Sequence, residues 1–172
     1  TAFNASKVLQ GLGRFEEAYQ LAEQRLGKPG FEAYRPGPYW LEWPAAERLW
    51  IWSEQGFGDV LQHLRWLVPL LQRDCLVTLE LEPALVPLAA EGLTWAGDRL
   101  HVRPQAATPP PLPEGACQGP LLSLPRMMGV APLGERCPYL RLPAAPWAEA
   151  GQRPRIGLVW ASGQFLDRHV LE

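Results

Sequence analysis

Asp59 is the residue of this chain whose setting best fits a chemical role. It lies in the stretch SEQGFGDVLQHLRWLVPLL of residues 53–71, directly after the apolar run LWIW of residues 49–52. An apolar strand followed by two glycines, an acid and a helical pattern predicts a loop at the carboxyl end of a strand, where open α/β sheets bind ligands. A carboxylate in that loop, near a helix N-terminus, is favoured as the anion and can take a proton from a substrate hydroxyl.

Two other interpretations of the same loop stay open. Asp59 is a good helix N-cap, Gln62 three residues later would complete a capping box, and Gly56 and Gly58 would then only allow a tight turn. A dinucleotide site would need a third glycine, but Leu61 stands at that position. An acid next to the phosphates would also oppose their charge, so a nicotinamide or flavin site is disfavoured.

The spacing of the histidines gives little support to a metal site or to a serine-hydrolase triad. His63 lies one helical turn after Asp59, and the two could be a pair of metal ligands, but no third ligand is evident in the sequence. His101 and His169 have no partners at ligand spacing, and no G-x-S-x-G elbow occurs. We therefore expect no metal site and no Ser–His–Asp triad.

Composition limits the possible partners and compartment. The 172 residues carry a net charge of −2 without a basic stripe, which argues against nucleic acid as a partner. No apolar run approaches the roughly 18 residues of a membrane span, and the first residues do not resemble a signal peptide. Three widely spaced cysteines, Cys75, Cys117 and Cys137, indicate free thiols in a reducing compartment. These features predict a cytoplasmic protein.

The first part of the chain predicts a helical pair and a linker. Apolar residues recur at helical spacing through residues 1–27, with a break around Gly11 and Gly13. Such a pair cannot bury both of its faces alone and must pack on a neighbour. Residues 31–44 are rich in proline and aromatic residues and predict an extended linker, with Trp40 and Trp43 as packing anchors.

From residue 48 onward, apolar strands alternate with amphipathic helices. The expected strands are residues 48–53, 76–82, a short one late in 93–104, and 153–162; the expected helices are residues 59–72 and 83–92. A short apolar run at residues 119–124 follows a proline-rich loop, and Ser123 is expected to cap a helical turn. The alternation predicts an α/β fold with a parallel sheet and right-handed crossovers.

The order of these motifs resembles a known kind of bacterial protein. The motifs are GLGRFEEA, FEAYRPGPYW, LWIWSEQGFGDVLQHLRWLVPLL, PLLSLPRMMG, CPYLRLP and IGLVWAS. The first resembles the middle of a tetratricopeptide repeat, and the second the aromatic segment that follows the last repeat. Together they resemble proteins in which tetratricopeptide repeats are fused to a glycosyltransferase-like region, similar to the heptosyltransferase family of GT-B glycosyltransferases. The resemblance covers nearly the whole chain.

The resemblance implies a division of the chain into four parts. These are a tetratricopeptide-like helical hairpin at residues 1–30, an aromatic and proline-rich linker at 31–47, a Rossmann-like acceptor-side domain at 48–152, and the first strand of a second domain at 153–172. A GT-B enzyme needs two Rossmann-like domains, and its donor site lies mostly on the second. We therefore expect this chain to be a fragment that does not carry out the whole reaction.

The resemblance also implies roles for single residues. Asp59 matches the aspartate regarded as the base that deprotonates the acceptor hydroxyl, and Gly58 matches the glycine before it. Gly56 and Gly58 are expected to bind substrate. Ser162 and Gly163 are expected to lie at the entry to the donor site of the second domain. Glu54 and Gln55 match an E-Q pair of the repeat-linked branch, with no chemistry assigned to them.

The implied reaction is transfer of a sugar from a nucleotide-sugar donor to a sugar or glycan acceptor, without a further cofactor. A different class of function stays open. The chain could be a non-catalytic interaction module whose helical pair binds a protein partner or a second copy. Exposed apolar surface on residues 1–27 would favour that alternative.

Overall fold

The computed structural model describes residues 2–28, 34, 35, 39, 47–129 and 138–143. Among these residues, four parallel strands form one sheet in the order β3-β2-β1-β4. The strands are β1 (Arg48–Trp52), β2 (Leu76–Leu81), β3 (Leu100–Pro104) and β4 (Cys117–Pro120). The α/β class and the parallel sheet predicted from the sequence are confirmed.

Helices and short 3₁₀ turns connect these strands. The helices are α1 (Ala2–Gly11), α2 (Phe15–Ala22), α3 (Phe57–His63), α4 (Leu67–Leu70), α5 (Val86–Gly92) and α6 (Leu124–Met128). The 3₁₀ turns are Glu23–Gly27, Leu64–Trp66, Pro83–Leu85, Thr94–Arg99 and Leu121–Ser123. The expected helical pair is present, and Gly13 makes its turn with a φ of +75°.

The core forms where the apolar strands meet the helices between them. Leu49 and Ile51 of β1, with Leu79 and Leu81 of β2, are fully buried. They belong to one hydrophobic cluster with residues of α3, α4 and α5. Strands covered on both faces carry continuous apolar runs, which is why β1 and β2 are the elements that the sequence marks most clearly.

One helix start and one cap differ from the predictions. Helix α3 begins at Phe57, with Gly56 as its N-cap, so Asp59 is the third helical residue and makes no capping hydrogen bond. The prediction of Asp59 as N-cap with a Gln62 capping box is therefore wrong, because the extended backbone of Gly56 already starts the helix. Ser123 does precede α6, but its side chain makes no capping bond.

The described part of the predicted linker packs on the sheet. Arg35 is buried, and its Nε donates to Oε2 of Glu80 at 2.7 Å. The rings of Tyr34 and Tyr39 lie edge-on to Trp52, with centroids 6.4 and 5.7 Å away. These contacts hold Tyr34, Arg35 and Tyr39 against β1 and β2. The proposed anchors, Trp40 and Trp43, lie outside the described residues.

The chain divides into two compact units, residues 1–142 and residues 143–172. The helical pair and the sheet belong to the first unit. The predicted strand at residues 153–162 falls outside the described residues, and the four-part division made from the sequence stays a prediction.

Candidate active site

Asp59 stands at the carboxyl edge of the sheet. The register pairs Trp52, the last residue of β1, with Glu80 near the end of β2 and with Pro120 at the end of β4, so these strand ends meet at one edge. The loop after β1 leads from this edge into α3, and Asp59 lies in the first turn of that helix. Its side chain is 33% exposed, which leaves the carboxylate accessible.

A lysine from the helical pair faces this carboxylate. Lys7 Nζ of α1 lies 3.4 Å from Oδ1 of Asp59. Both side chains reach solvent, so the pair contributes little stabilisation by itself. The contact nevertheless shows that α1 lies beside the loop that carries Asp59.

His63 contacts the backbone of Asp59. Its Nδ1 lies 2.7 Å from the backbone carbonyl oxygen of Asp59. Burial of the ring lowers the pKa of His63 and favours the neutral imidazole. Within the described ranges, no group of three or more metal-binding side chains occurs.

The two glycines of the loop are not required by its backbone. The positive φ of the turn, 65°, belongs to Gln55, whereas Gly56 has an ordinary φ of −74°. Among the described residues, a Cβ built on Gly58 would have no atom of another element within 4 Å, and one on Gly56 would meet only Oδ2 of Asp59, at 3.9 Å. The tight-turn interpretation of these glycines is therefore wrong. As far as the described residues go, the space over Gly58 is open.

Hydrogen bonds fix the start of the loop. The backbone N–H of Ser53 donates to the carbonyl of Glu80 at 2.8 Å, and the Ser53 hydroxyl oxygen accepts from the backbone N–H of Glu82 at 3.1 Å. Gln105, just after β3, donates from Nε2 to the Ser53 carbonyl at 2.8 Å. The loops that follow β1, β2 and β3 are thereby tied to one another.

The crevice between β1 and β4 is filled by an arginine of the helical pair. In the sheet, β2 lies on one side of β1 and β4 lies on the other, so the order of the strands reverses between β1 and β4. The crevice at the carboxyl ends of these two strands is therefore the topological switch point, where ligands often bind. The buried Arg25 donates from Nε to Oε1 of Glu54 at 3.0 Å and from Nη2 to Oγ of Ser123 at 2.9 Å. Glu54 lies just after β1 and Ser123 just after β4.

Glu23 completes this network. Arg25 Nη1 donates to Oε1 of Glu23 at 2.8 Å, and the Ser123 hydroxyl donates to Oε2 of Glu23, also at 2.8 Å. Burial raises the pKa of Glu54, although the charge of Arg25 opposes the rise. Burial alone would lower the pKa of Arg25, but the carboxylates of Glu54 and Glu23 together raise it. Glu54 Oε2 is buried and has no hydrogen-bond partner among the described residues.

The network of Arg25 with Glu54, Glu23 and Ser123 was not predicted from the sequence. The one signal for Glu54 is an acid almost directly after a buried strand, which is an unusual place for a charge. Arg25 gives no such signal, because it reads as one more charged residue on an amphipathic helix. Ser162 and Gly163, the expected donor-side residues, lie outside the described residues.

No known protein family, curated protein or solved structure matches this chain. The resemblance to repeat-linked glycosyltransferases therefore stays an expectation drawn from the motifs. Within the described part of the chain, no helix is both long and apolar enough to cross a membrane.

Proposed function

We propose that this chain is the acceptor-side domain of a glycosyltransferase that uses a nucleotide-sugar donor, with Asp59 as the acceptor base. One observation carries the proposal. The Asp59 carboxylate is partly exposed at the carboxyl edge of a parallel sheet, and no other element of the described residues covers the preceding Gly58. Carboxylates in this setting can accept a proton from a hydroxyl that approaches along the edge.

In the proposed reaction, the acceptor hydroxyl oxygen forms a bond to the anomeric carbon of the donor sugar. The bond from that carbon to the diphosphate breaks, and the bonding electrons leave with the diphosphate. The hydroxyl proton goes to Asp59. The negative charge that develops on the leaving group needs cationic or amide groups opposite Asp59. On this proposal a second Rossmann-like domain supplies them, near Ser162 and Gly163.

The test is turnover in the longer protein that, on this proposal, also carries the donor-side domain. A panel of nucleoside diphosphate sugars and mixed glycan acceptors identifies a pair that reacts. Asp59→Asn should then lower kcat by about 100-fold or more, since it removes the base while keeping the shape of the side chain. Asp98→Asn, at an exposed acid just before β3 at the opposite edge of the sheet, is the matched control. Equal turnover in the two variants would remove Asp59 from the role of base.

A specific observation also favours the second candidate, a protein-interaction module. Val8, Leu12 and Phe15 of the helical pair are 63%, 66% and 39% exposed. Three exposed apolar side chains within residues 8–15 make this end of the helical pair a candidate interaction surface. If the pair mediates self-association, the mass of the chain in sedimentation should rise with concentration. Leu12→Glu should abolish the rise, whereas Gln20→Glu, a change at an exposed polar position of the same pair, should leave it intact.

A further inference from the structure

We propose that Arg25 is a positioning residue that fixes the Asp59 loop from the helical pair, so that docking of the pair sets where the carboxylate stands. The expected effect of Arg25 on turnover rests on the proposed function. Its expected effect on the rigidity of the loop does not. Three features of the molecule support the proposal: the filled crevice, the strained loop and the relative strength of two contacts.

Arg25 fills the crevice as a ligand would. Its guanidinium lies between the loops after β1 and β4 and donates to Glu54, Ser123 and Glu23, and also to the carbonyl of Ala22 at 3.2 Å. Each guanidinium nitrogen therefore has an acceptor. A planar, buried guanidinium bonded on all sides has one orientation, and it holds its acceptors in that orientation too.

The loop from Ser53 to Gly56, which leads to Asp59 in the first turn of α3, is short and strained. Gln55 has a φ of 65°, a conformation that costs a residue with a side chain free energy. Such strain persists only where the residues on both sides are held. On one side Arg25 holds Glu54, and on the other Val60 of α3 is buried in the core. Release of Glu54 would let the loop relax and shift the first turn of α3.

The two contacts between the helical pair and this loop differ in strength. Lys7 and Asp59 are both partly exposed and lie 3.4 Å apart, so their attraction is weakened by solvent. Arg25 and Glu54 are both buried, where removal of one partner strands the other charge. The buried pair is therefore the stronger of these two contacts, and it holds the loop together with the hydrogen bonds of Ser53.

Hydrogen exchange on the full chain tests the mechanical part. In Arg25→Met, which keeps apolar bulk but removes the donors, the backbone amides of residues 60–63, whose hydrogen bonds close the first turns of α3, should exchange about tenfold faster or more. Amides of β2 should keep their rates, which shows that the fold is intact. Arg14→Met, which removes an exposed arginine paired with Glu17 on the same helical pair, is the control and should change nothing in the loop.

If Arg25→Met does not fold, Glu54→Gln replaces it. This variant keeps the shape of the side chain and removes the charge that Arg25 binds, so exchange of the amides of residues 60–63 should rise by several-fold. Unchanged exchange of these amides in either folded variant, relative to Arg14→Met, would overturn the proposal.

Kinetics in the longer protein test the catalytic part. Arg25→Met should lower kcat by about tenfold or more with little change in KM, since misplacement of a base affects the chemical step. The two proposals can fail separately. If Asp59→Asn leaves turnover intact, the proposed function fails while the exchange result still stands. If the loop loosens but kcat per folded molecule is unchanged, Arg25 does not position the base.

Discussion

At the scale of single residues, two buried acids meet arginines that are distant in sequence. Glu54 pairs with Arg25, and Glu80 pairs with Arg35 and with Arg103 of the neighbouring strand. Glu80 is fully buried within β2, where an unpaired charge would be very costly. The arginines are therefore a condition for these acids to be inside the protein at all.

The Glu80 network predicts a loss of stability in acid. Burial pushes the pKa of Glu80 upward, but the hydrogen bonds and charge of Arg35, with a further bond from Arg103, outweigh burial and hold it below its ordinary value. The unfolded chain then binds more protons than the native protein in acid. The contribution of Glu80 is complete above about pH 4.3 and is lost as the pH falls through the native pKa.

Glu80→Gln should therefore lower the free energy of unfolding at pH 7 by about 3 kcal/mol, because it leaves Arg35 buried without its partner. It should also flatten the dependence of stability on pH below about pH 4.3. Urea unfolding between pH 3 and pH 7 measures both effects, with Glu91→Gln at an exposed position of α5 as control. An unchanged acid slope in the Glu80→Gln variant would show that other groups control acid unfolding. Glu54 contributes with the opposite sign, since its pKa is raised.

At the scale of elements, the sequence marked β1, β2, β3 and the start of α6, but it missed β4 and the start of α3. β1 and β2 stand out because both faces are covered, which gives continuous apolar runs. The start of α3 was missed because Asp59 has the right residue type for a cap, whereas the extended backbone at Gly56 cannot be read from composition. Gln55, which takes the left-handed conformation, is a residue type that gives no warning of it.

Gly58→Ala should affect stability and turnover in opposite directions at the start of α3. Because the added methyl group would meet no other element of the described residues and alanine is the better helix former, the free energy of unfolding should rise by about 0.5 kcal/mol. If the acceptor passes over Gly58, turnover in the longer protein should fall although stability rises. Denaturant unfolding and kcat/KM measure the two effects. A stabilised variant with full turnover would show that the space over Gly58 is not used.

Alanine should destabilise the protein at another helical glycine, Gly92, because residues 138–142 pack against it. A Cβ on Gly92 of α5 would lie 2.8 Å from Cδ2 of Leu140, and the carbonyl of Gly92 accepts from the N–H of Arg141 at 2.8 Å. Gly92→Ala should destabilise by about 1 to 3 kcal/mol, despite the helix preference of alanine. Chemical unfolding of the double variant with Leu140→Ala should show a smaller cost for alanine at residue 92. Additive effects would mean that Leu140 is not what the methyl group meets.

At the scale of the whole molecule, the fold class could be predicted from the sequence. The ion pairs that connect the N-terminal segment to the sheet could not. Alternation of apolar strands and helices is a local signal and predicted the parallel sheet. The links from Arg25 to Glu54 and from Arg35 to Glu80 span 29 and 45 residues of sequence. Such ion pairs leave no periodic pattern in one sequence. The candidate site was therefore predicted at Asp59, while the residues that hold its loop were not.

The pairing of acids and arginines has a consequence for where the protein can be cut. The predicted acceptor-side domain, residues 48–152, contains Glu54 and Glu80 but neither Arg25 nor Arg35. Excision at that boundary would leave a carboxylate without a counter-ion in the crevice and another with only half of its cations. We expect a fragment starting at residue 48 to be insoluble or unfolded near neutral pH in expression and circular dichroism trials, and one starting at residue 2 to fold. On this prediction, independent folding of the α/β sheet requires the N-terminal helices, which by sequence look like an accessory.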